Sequence, residues 1–169
     1  MARKPRYHVP GAFYHLILRG NDGQNIFFRD ADRCRFCLLL QQGVERYGHR
    51  IHAFCLMTNH IHLLVQVNQT PLSKIVHNLA FRYSQDFNRR YDKIGHLFQG
   101  RFKAILLDEE DYFLKLVRYI HMNPVRANMV EDPSDYDWSG HRAYLGYNEI
   151  AWLTLEHTFK KFDVAAGRA

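Results

Sequence analysis

Two histidines stand one residue apart in the segment MTNHIHLLV at 57–65. The apolar residues around His60 and His62 predict a β-strand, in which successive side chains point to opposite faces. The two imidazoles therefore share one face, about 6–7 Å apart, and only the opposite face, which begins with Ile61, is predicted to be core. Neutral imidazole is a common metal ligand, so the pair can converge on one divalent cation. The alternative is two polar residues on an open sheet face.

A second set of chemical groups occurs at helical spacing further along the chain. Lys115, Tyr119 and Asn123 are four residues apart, which predicts one stripe of a helix. An amide oxygen such as that of Asn123 suits a hard cation, and a phenol one turn earlier would face whatever that cation polarises. Taken alone, Tyr119 has the alternative of packing at the edge of the core. The buried stripe of the same helix is predicted at Phe113, Leu116, Val117 and Ile120.

The hydrophobic pattern predicts the elements that would position these groups. Strands are expected at 12–18, 50–56, 60–67 and 101–107, and helices at 31–47, from 71 onward and from the acids of 108–110 to Pro124. Asn123 is expected at or near the end of the third helix, because a residue before proline avoids the helical conformation. The order β-α-β-β-α-β-α predicts an α+β fold, a ferredoxin-like split βαβ with an antiparallel sheet and an additional tyrosine-bearing helix.

The length of 169 residues fits one ordinary domain. We expect a catalytic domain at 1–130 and a C-terminal extension at 131–169 that packs on it, with a last helical stretch near 153–162 and a frayed end. The pattern does not predict where the extension packs.

Lysine and arginine number 23 against 17 acids, a formal charge of +6, so an anionic partner is expected. No apolar run approaches the roughly 18 residues of a membrane span, and the first residues lack the pattern of a signal peptide, so we expect a cytoplasmic protein without membrane association. Cys34, Cys37 and Cys55 are predicted to be reduced packing residues.

Several motifs occur together in this chain. HIH lies on a predicted central strand, an RGN turn begins at Arg19, GHLFQGRFKA covers 95–104, and YIHMNPVRA covers 119–127. This combination resembles the single-tyrosine HUH transposases, which mobilise single-stranded insertion sequences, and especially their REP-associated tyrosine transposase branch. The resemblance extends from about Tyr7 to Val130.

The resemblance implies a metal-dependent single-stranded DNA transposase that acts as endonuclease and strand transferase. By similarity, His60 and His62 bind the metal, Tyr119 is the nucleophile, and Asn123 is the polar third ligand, where some relatives carry glutamine. The implied product is a 5′-phosphotyrosine link with a free 3′-hydroxyl, and attack by a different 3′-hydroxyl would rejoin strands. Single-stranded or hairpin DNA is the implied partner in this DNA transposition and recombination.

The predicted cofactor is Mg²⁺ or Mn²⁺. Two histidines and an amide suit manganese, whereas phosphate chemistry and cellular supply favour magnesium. For DNA binding we predict a phosphate-neutralising set with neighbouring aromatic rings for stacking, although each of these charges alone is typical of a solvated surface. The set consists of Arg19, Arg82, Arg89, Arg101 and Lys103.

Other interpretations remain open from the sequence. A basic ferredoxin-like sheet can also serve as a non-catalytic single-stranded nucleic-acid-binding protein. A related replication or conjugation nickase would use the same chemistry, usually with a further domain. A monomer acting in cis and a homodimer that exchanges tyrosine helices would contain the same residues, and the recognised DNA sequence is not predicted.

Overall fold

A computed structural model describes residues 8–108 and 110–167. Its four strands form one sheet in the order β2-β3-β1-β4, and every neighbouring pair is antiparallel. This order confirms the predicted α+β fold with a ferredoxin-like split βαβ, because each strand that follows a crossover helix lies two places from the strand before it. The strands are β1 (Phe13–Arg19), β2 (Arg50–Leu56), β3 (His60–Gln66) and β4 (Lys103–Leu106).

Two long helices cover one face of the sheet. They are α1 (Asp30–Tyr47) and α2 (Leu72–Tyr91), and each places an apolar stripe against the strands. Leu16 and Leu63 from the sheet belong to the same buried cluster as Phe36 of α1 and Tyr83 of α2. Removing these side chains from water is the main favourable contribution to folding, so this layer fixes the strands.

The opposite face, which carries His60 and His62, is also partly core. The helix α3 (Glu110–His121) packs on it, and Leu64 is fully buried in a cluster with Leu116. The expectation that only the Ile61 face is core was therefore wrong. The alternation of side chains along a strand predicts which residues share a face, but it does not predict that a later helix covers that face.

The helix α3 ends earlier than predicted. Its last residue is His121, and Asn123 begins a short helix, α4 (Asn123–Arg126). Pro124 has no N–H to donate to the carbonyl of Ile120, so the regular hydrogen-bond ladder stops there. The side-chain amide of Asn123 replaces it, with Nδ2 donating to the carbonyls of Tyr119 at 2.8 Å and Ile120 at 3.3 Å. Of the acids expected to open the helix, Glu109 lies outside the described residues.

The C-terminal extension contributes two helices and covers the outer edge of β2. The helices are α5 (His141–Tyr144) and α6 (Glu156–Gly167), so the last helix begins later and continues further than predicted. Leu56 donates its N–H to the carbonyl of Trp138 at 2.8 Å, and Thr154 donates to that of Ile51 at 2.8 Å. Two short 3-10 turns lie at Asn21–Gly23 and Pro133–Asp135.

The three cysteines are free thiols in different environments. Cys55 is buried and Cys37 half-buried, whereas Cys34 is exposed, so the packing role predicted for Cys34 was wrong. The stripe of α1 that faces the sheet runs through Phe36 and Leu40 and leaves Cys34 on the outer side.

Among the described residues, no helix is both long and apolar enough to cross a membrane.

Candidate active site

His60 and His62 project from the same face of β3, as the alternation predicts. Their ring centroids are 5.0 Å apart and the ring planes are nearly perpendicular, at 86°. His62 is only 4% exposed, while His60, at the start of the strand, is half-buried. One imidazole is therefore enclosed by protein and its neighbour faces the solvent side of the site.

A third imidazole, which the sequence analysis did not predict, comes from β1. The antiparallel register sets Ile17 opposite His62, so that His15 lies diagonally across on the same face. Nε2 of His15 is 3.0 Å from Nδ1 of His62, within hydrogen-bond distance, and the two rings stack with centroids 5.2 Å apart. Strand alternation in AFYHLIL gives the side of His15, but its place beside His62 depends on a register that sequence does not specify.

The imidazoles of this site are held in the neutral form. Burial lowers the pKa of His62 to about 3, and the neighbouring His60 and His15 lower it as well. Burial also lowers the pKa of His15 to about 4, with a smaller contribution from the charge of Lys103. For His60, burial and then the charge of Arg19 lower the pKa. Neutral imidazole keeps the lone pair that a metal requires.

Both motif histidines have a hydrogen-bond partner on the Nδ1 side. Asn59 donates its Nδ2 to the carbonyl of Gly23 at 3.3 Å, which sets the orientation of the amide. Its Oδ1 then accepts from Nδ1 of His60 at 2.7 Å, so Nε2 of His60 carries the lone pair. Nδ1 of His62 lies within hydrogen-bond distance of Nε2 of His15, and in the tautomer in which His62 donates, its Nε2 also carries the lone pair. In that tautomer both motif histidines offer Nε2 to a cation.

Tyr119 lies next to these histidines in the same chain. Its ring centroid is 5.7 Å from that of His62 and 5.8 Å from that of His15, in edge-to-face geometry at 88° and 75°. The side chain is half-buried. The guanidinium of Arg126, in the first turn after α3, lies over the ring at 4.7 Å from its centroid. The ring of Tyr119 is therefore in contact with two imidazoles and a cation.

Asn123 follows one turn after Tyr119 and is 9% exposed. Because Nδ2 donates to backbone carbonyls, the amide presents Oδ1 as its free acceptor. Within the described ranges, no group of three His, Cys, Asp or Glu residues is placed to hold a metal ion. A cation bound by His60 and His62 would therefore need a third ligand that is not His, Cys, Asp or Glu. The amide oxygen of Asn123 has suitable chemistry.

The comparison with protein families shows the family of this chain. A model described as IS200-like transposase matches residues 8–123. The chain belongs to the IS200-like transposase family. This finding confirms the predicted resemblance, and the matched segment runs from before β1 to Asn123, through both histidines and Tyr119.

Two solved structures are similar to this transposase, and the first of them supports the fold. A REP-associated tyrosine transposase bound to a REP hairpin matches with a TM-score of 0.70 and 18% identity, covering 91% of this chain and 92% of that one. A putative transposase from Deinococcus radiodurans R1 has a TM-score of 0.49 and 17% identity, over 70% of this chain and 95% of the other. No curated protein matches the sequence.

The cations predicted to bind DNA occupy two sides of the transposase. Arg19 and Lys103 are exposed on the face of His60 and His62, since Arg19 pairs with His60 and Lys103 with Ile17. Arg101 is exposed in the segment before β4. Arg82 and Arg89 lie on α2, in the helical layer on the other face of the sheet. Arg82 donates to the side chain of Gln42 at 2.8 Å, and Arg89 is exposed.

Proposed function

We propose that this transposase cleaves and rejoins single-stranded DNA through a 5′-phosphotyrosine link on Tyr119. The observation that carries the proposal is the placement of the Tyr119 ring 5.7 Å from that of His62, within one chain. A half-buried phenol beside two neutral imidazoles combines a nucleophile with candidate ligands for a cation. The alternative of a non-catalytic nucleic-acid-binding protein gives no role to this arrangement.

The strand-transfer step needs no nucleotide cofactor, because each bond that breaks is replaced by a bond that forms. The phenol oxygen of Tyr119 forms a bond to phosphorus and gives up its proton, while the bond from phosphorus to the 3′ oxygen breaks and that oxygen gains a proton. The energy of the phosphodiester is retained in the phosphotyrosine, so a second 3′-hydroxyl can reverse the step. Tyr119 contacts His62 of its own chain, which supports a monomer acting in cis; a homodimer would not need to exchange helices.

The residues present fit a bound Mg²⁺ or Mn²⁺. His60 and His62 would ligate through Nε2 and Asn123 through Oδ1, and the lowered imidazole pKa values keep both histidines unprotonated near neutral pH. Such an ion would supply positive charge that offsets the negative charge of the phosphate in the transition state. His15 and Asn59 would hold the two imidazoles in orientation through their Nδ1 atoms.

Single-stranded or hairpin DNA is the substrate that we propose. The formal charge of +6 suits a polyanion, and Arg19 and Lys103 place two exposed cations on the face of the site. The structural neighbour at 18% identity is bound to a REP hairpin, which makes hairpins the first substrates to test.

The decisive experiment is covalent capture of DNA. The transposase is incubated with Mn²⁺ and a library of labelled single-stranded and hairpin oligonucleotides, and adducts are separated on a denaturing SDS gel. The wild type should form an adduct that Tyr119→Phe and EDTA both abolish. Tyr112→Phe, which alters an exposed tyrosine on the same helix, is the matched control and should retain it. An adduct that persists in Tyr119→Phe would refute the assignment.

A further inference from the structure

A basic cavity of about 360 Å³ opens beside Tyr119, on the surface of α3 and α4. It is lined by five residues, of which three are cations: Lys115, Arg118, Tyr119, Met122 and Arg126. All three cations are exposed, and none forms an ion pair with any residue whose side chain the structure describes. Of these charges, the site described above includes only that of Arg126, which lies over the Tyr119 ring, so the cavity concentrates positive potential with no anionic partner assigned to it.

We propose that Lys115, Arg118 and Arg126 form a phosphate-binding site that holds a backbone phosphate of the DNA strand next to the phosphate that Tyr119 attacks. This inference rests on the proposed function. Guanidinium groups suit phosphate because their planar N–H groups match its oxygens, and a lysine adds a point charge. Three such donors around one small cavity attract a phosphate more strongly than a single solvated charge does.

The geometry favours a neighbouring phosphate over the attacked one. The guanidinium of Arg126 lies over the face of the Tyr119 ring, at 4.7 Å from the centroid, whereas the phenol oxygen that attacks lies in the ring plane. His62 and His15 approach the same ring in edge-to-face contacts. Arg126 therefore contacts the ring through its face, whereas the two imidazoles stand nearly perpendicular to it, which fits two adjacent groups of one strand.

The test measures DNA binding without chemistry, in the Tyr119→Phe background with EDTA. The affinity for a labelled oligothymidylate is measured against salt concentration for Lys115→Gln, Arg118→Gln, Arg126→Gln and the triple variant. The triple variant should bind more weakly and lose at least about 0.7 from the slope of log K against log salt, the value for one single-strand phosphate contact. Arg126→Lys should retain most of the slope, because it keeps the charge.

Arg46→Gln is the matched control, since Arg46 is exposed and stacks over Tyr47 at 5.4 Å on the distant helix α1. It should bind like the parent protein, and thermal melts should show that every variant is folded. A triple variant whose affinity and slope equal those of Arg46→Gln would overturn the proposal. So would selective displacement of the DNA by inorganic phosphate at constant ionic strength, which would mark a site for the free anion. Because binding needs no phosphotyrosine, the result is independent of the adduct experiment.

Discussion

His15 and Asn59 contact the two motif histidines on the side away from Nε2. Each occupies one Nδ1 atom, at 3.0 Å for the His15 contact and 2.7 Å for the Asn59 contact. A histidine that ligates a metal through one nitrogen is usually held by a hydrogen bond at the other, which fixes both tautomer and ring orientation. His15 therefore acts as a positioning residue for His62 in the function that we propose.

Replacing His15 by phenylalanine should weaken metal binding while the fold is retained. The ring is similar in shape, but Nδ1 of His62 loses its partner, so the orientation and tautomer of His62 are no longer held. Mn²⁺ affinity, followed by the paramagnetic resonance signal of the free ion, should fall by about 10- to 100-fold. Long-range proton–nitrogen correlations in the metal-free protein should show a different tautomer population for His62 in the variant than in the wild type.

His52→Phe is the control for this experiment, because His52 is a fully buried imidazole on β2 that hydrogen-bonds Gln66. It should leave Mn²⁺ affinity unchanged. Equal affinity in His15→Phe and the wild type would contradict the positioning role. Loss of binding in His60→Ala and His62→Ala is needed first, since it establishes that the measured ion occupies this site.

At the residue scale, local patterns in the sequence carried most of the information. His60 and His62 were recognised because their spacing on one strand is local, and Tyr119 because it occurs in a longer motif. His15 was not recognised, since its partner lies 47 residues away and only the β1–β3 register brings them together. Arg126 was within the quoted motif, but its contact with the Tyr119 ring depends on the turn from α3 into α4.

The helix α3 holds Tyr119 by packing its opposite stripe on the sheet. Phe113, Leu116 and Ile120 are each at most 2% exposed and contact the face formed by residues such as Leu64. The tyrosine itself is only half-buried, so its position depends on this stripe more than on its own contacts. Any substitution that loosens the packing of α3 should therefore also displace the phenol of Tyr119.

Leu116→Ala and Leu40→Ala test this dependence, because each removes a leucine that is at most 2% exposed, in α3 and in α1 respectively. Each should lower the free energy of unfolding by about 2–5 kcal/mol, measured by chemical denaturation. Under conditions where both variants are folded, only Leu116→Ala should slow adduct formation by Tyr119. Equal adduct rates would show that α3 positions the tyrosine by other means.

The elements themselves were largely predictable, because apolar periodicity and turn residues are local signals. The bounds predicted for β2 match the structure, and the other strands differ by one or two residues at their ends. The end of α3 was misplaced because the expected effect of Pro124 did not include the Asn123 side chain, which satisfies the last carbonyls. The second buried face of the sheet was missed because it forms only when α3 returns to it.

At the scale of the whole molecule, the C-terminal extension contributes to both faces of the sheet. Trp152 and Leu153 join the cluster shared with α1 and α2, and Tyr136 joins the cluster under α3, with its hydroxyl donating to the carbonyl of Leu56 at 2.6 Å. Sequence could not place this segment, because its partners are distant in the chain. The division at residue 130 stays a prediction, and these contacts favour one folding unit.

The free energy of unfolding should fall as the pH drops below about 6.5, with His52 as one cause. Burial lowers its pKa to about 4, His157 and Arg50 lower it further, and hydrogen bonds involving Gln66 and Thr154 oppose the shift. Between these values the unfolded chain binds a proton that the folded chain does not. The stability that depends on neutral His52 is therefore fully present above pH 6.5. As the pH falls toward 4, the free energy of unfolding decreases by up to about 1.4 kcal/mol per pH unit.

Urea denaturation at a series of pH values measures this slope directly. His52→Phe should reduce the slope by up to about 1.4 kcal/mol per pH unit, whatever its effect on stability at pH 7.5. A slope unchanged from the wild type would mean that other groups account for acid unfolding.

The segment that runs along β2 also has a consequence for solubility. An edge strand with unpaired backbone groups is a template for aggregation, since a strand of another molecule can add to it. Here Leu56, Ile51 and Phe54 already exchange hydrogen bonds with residues of the extension. The opposite edge is β4, which is only four residues long and begins with the exposed charge of Lys103. The sheet thus leaves only this short edge available for the addition of another strand.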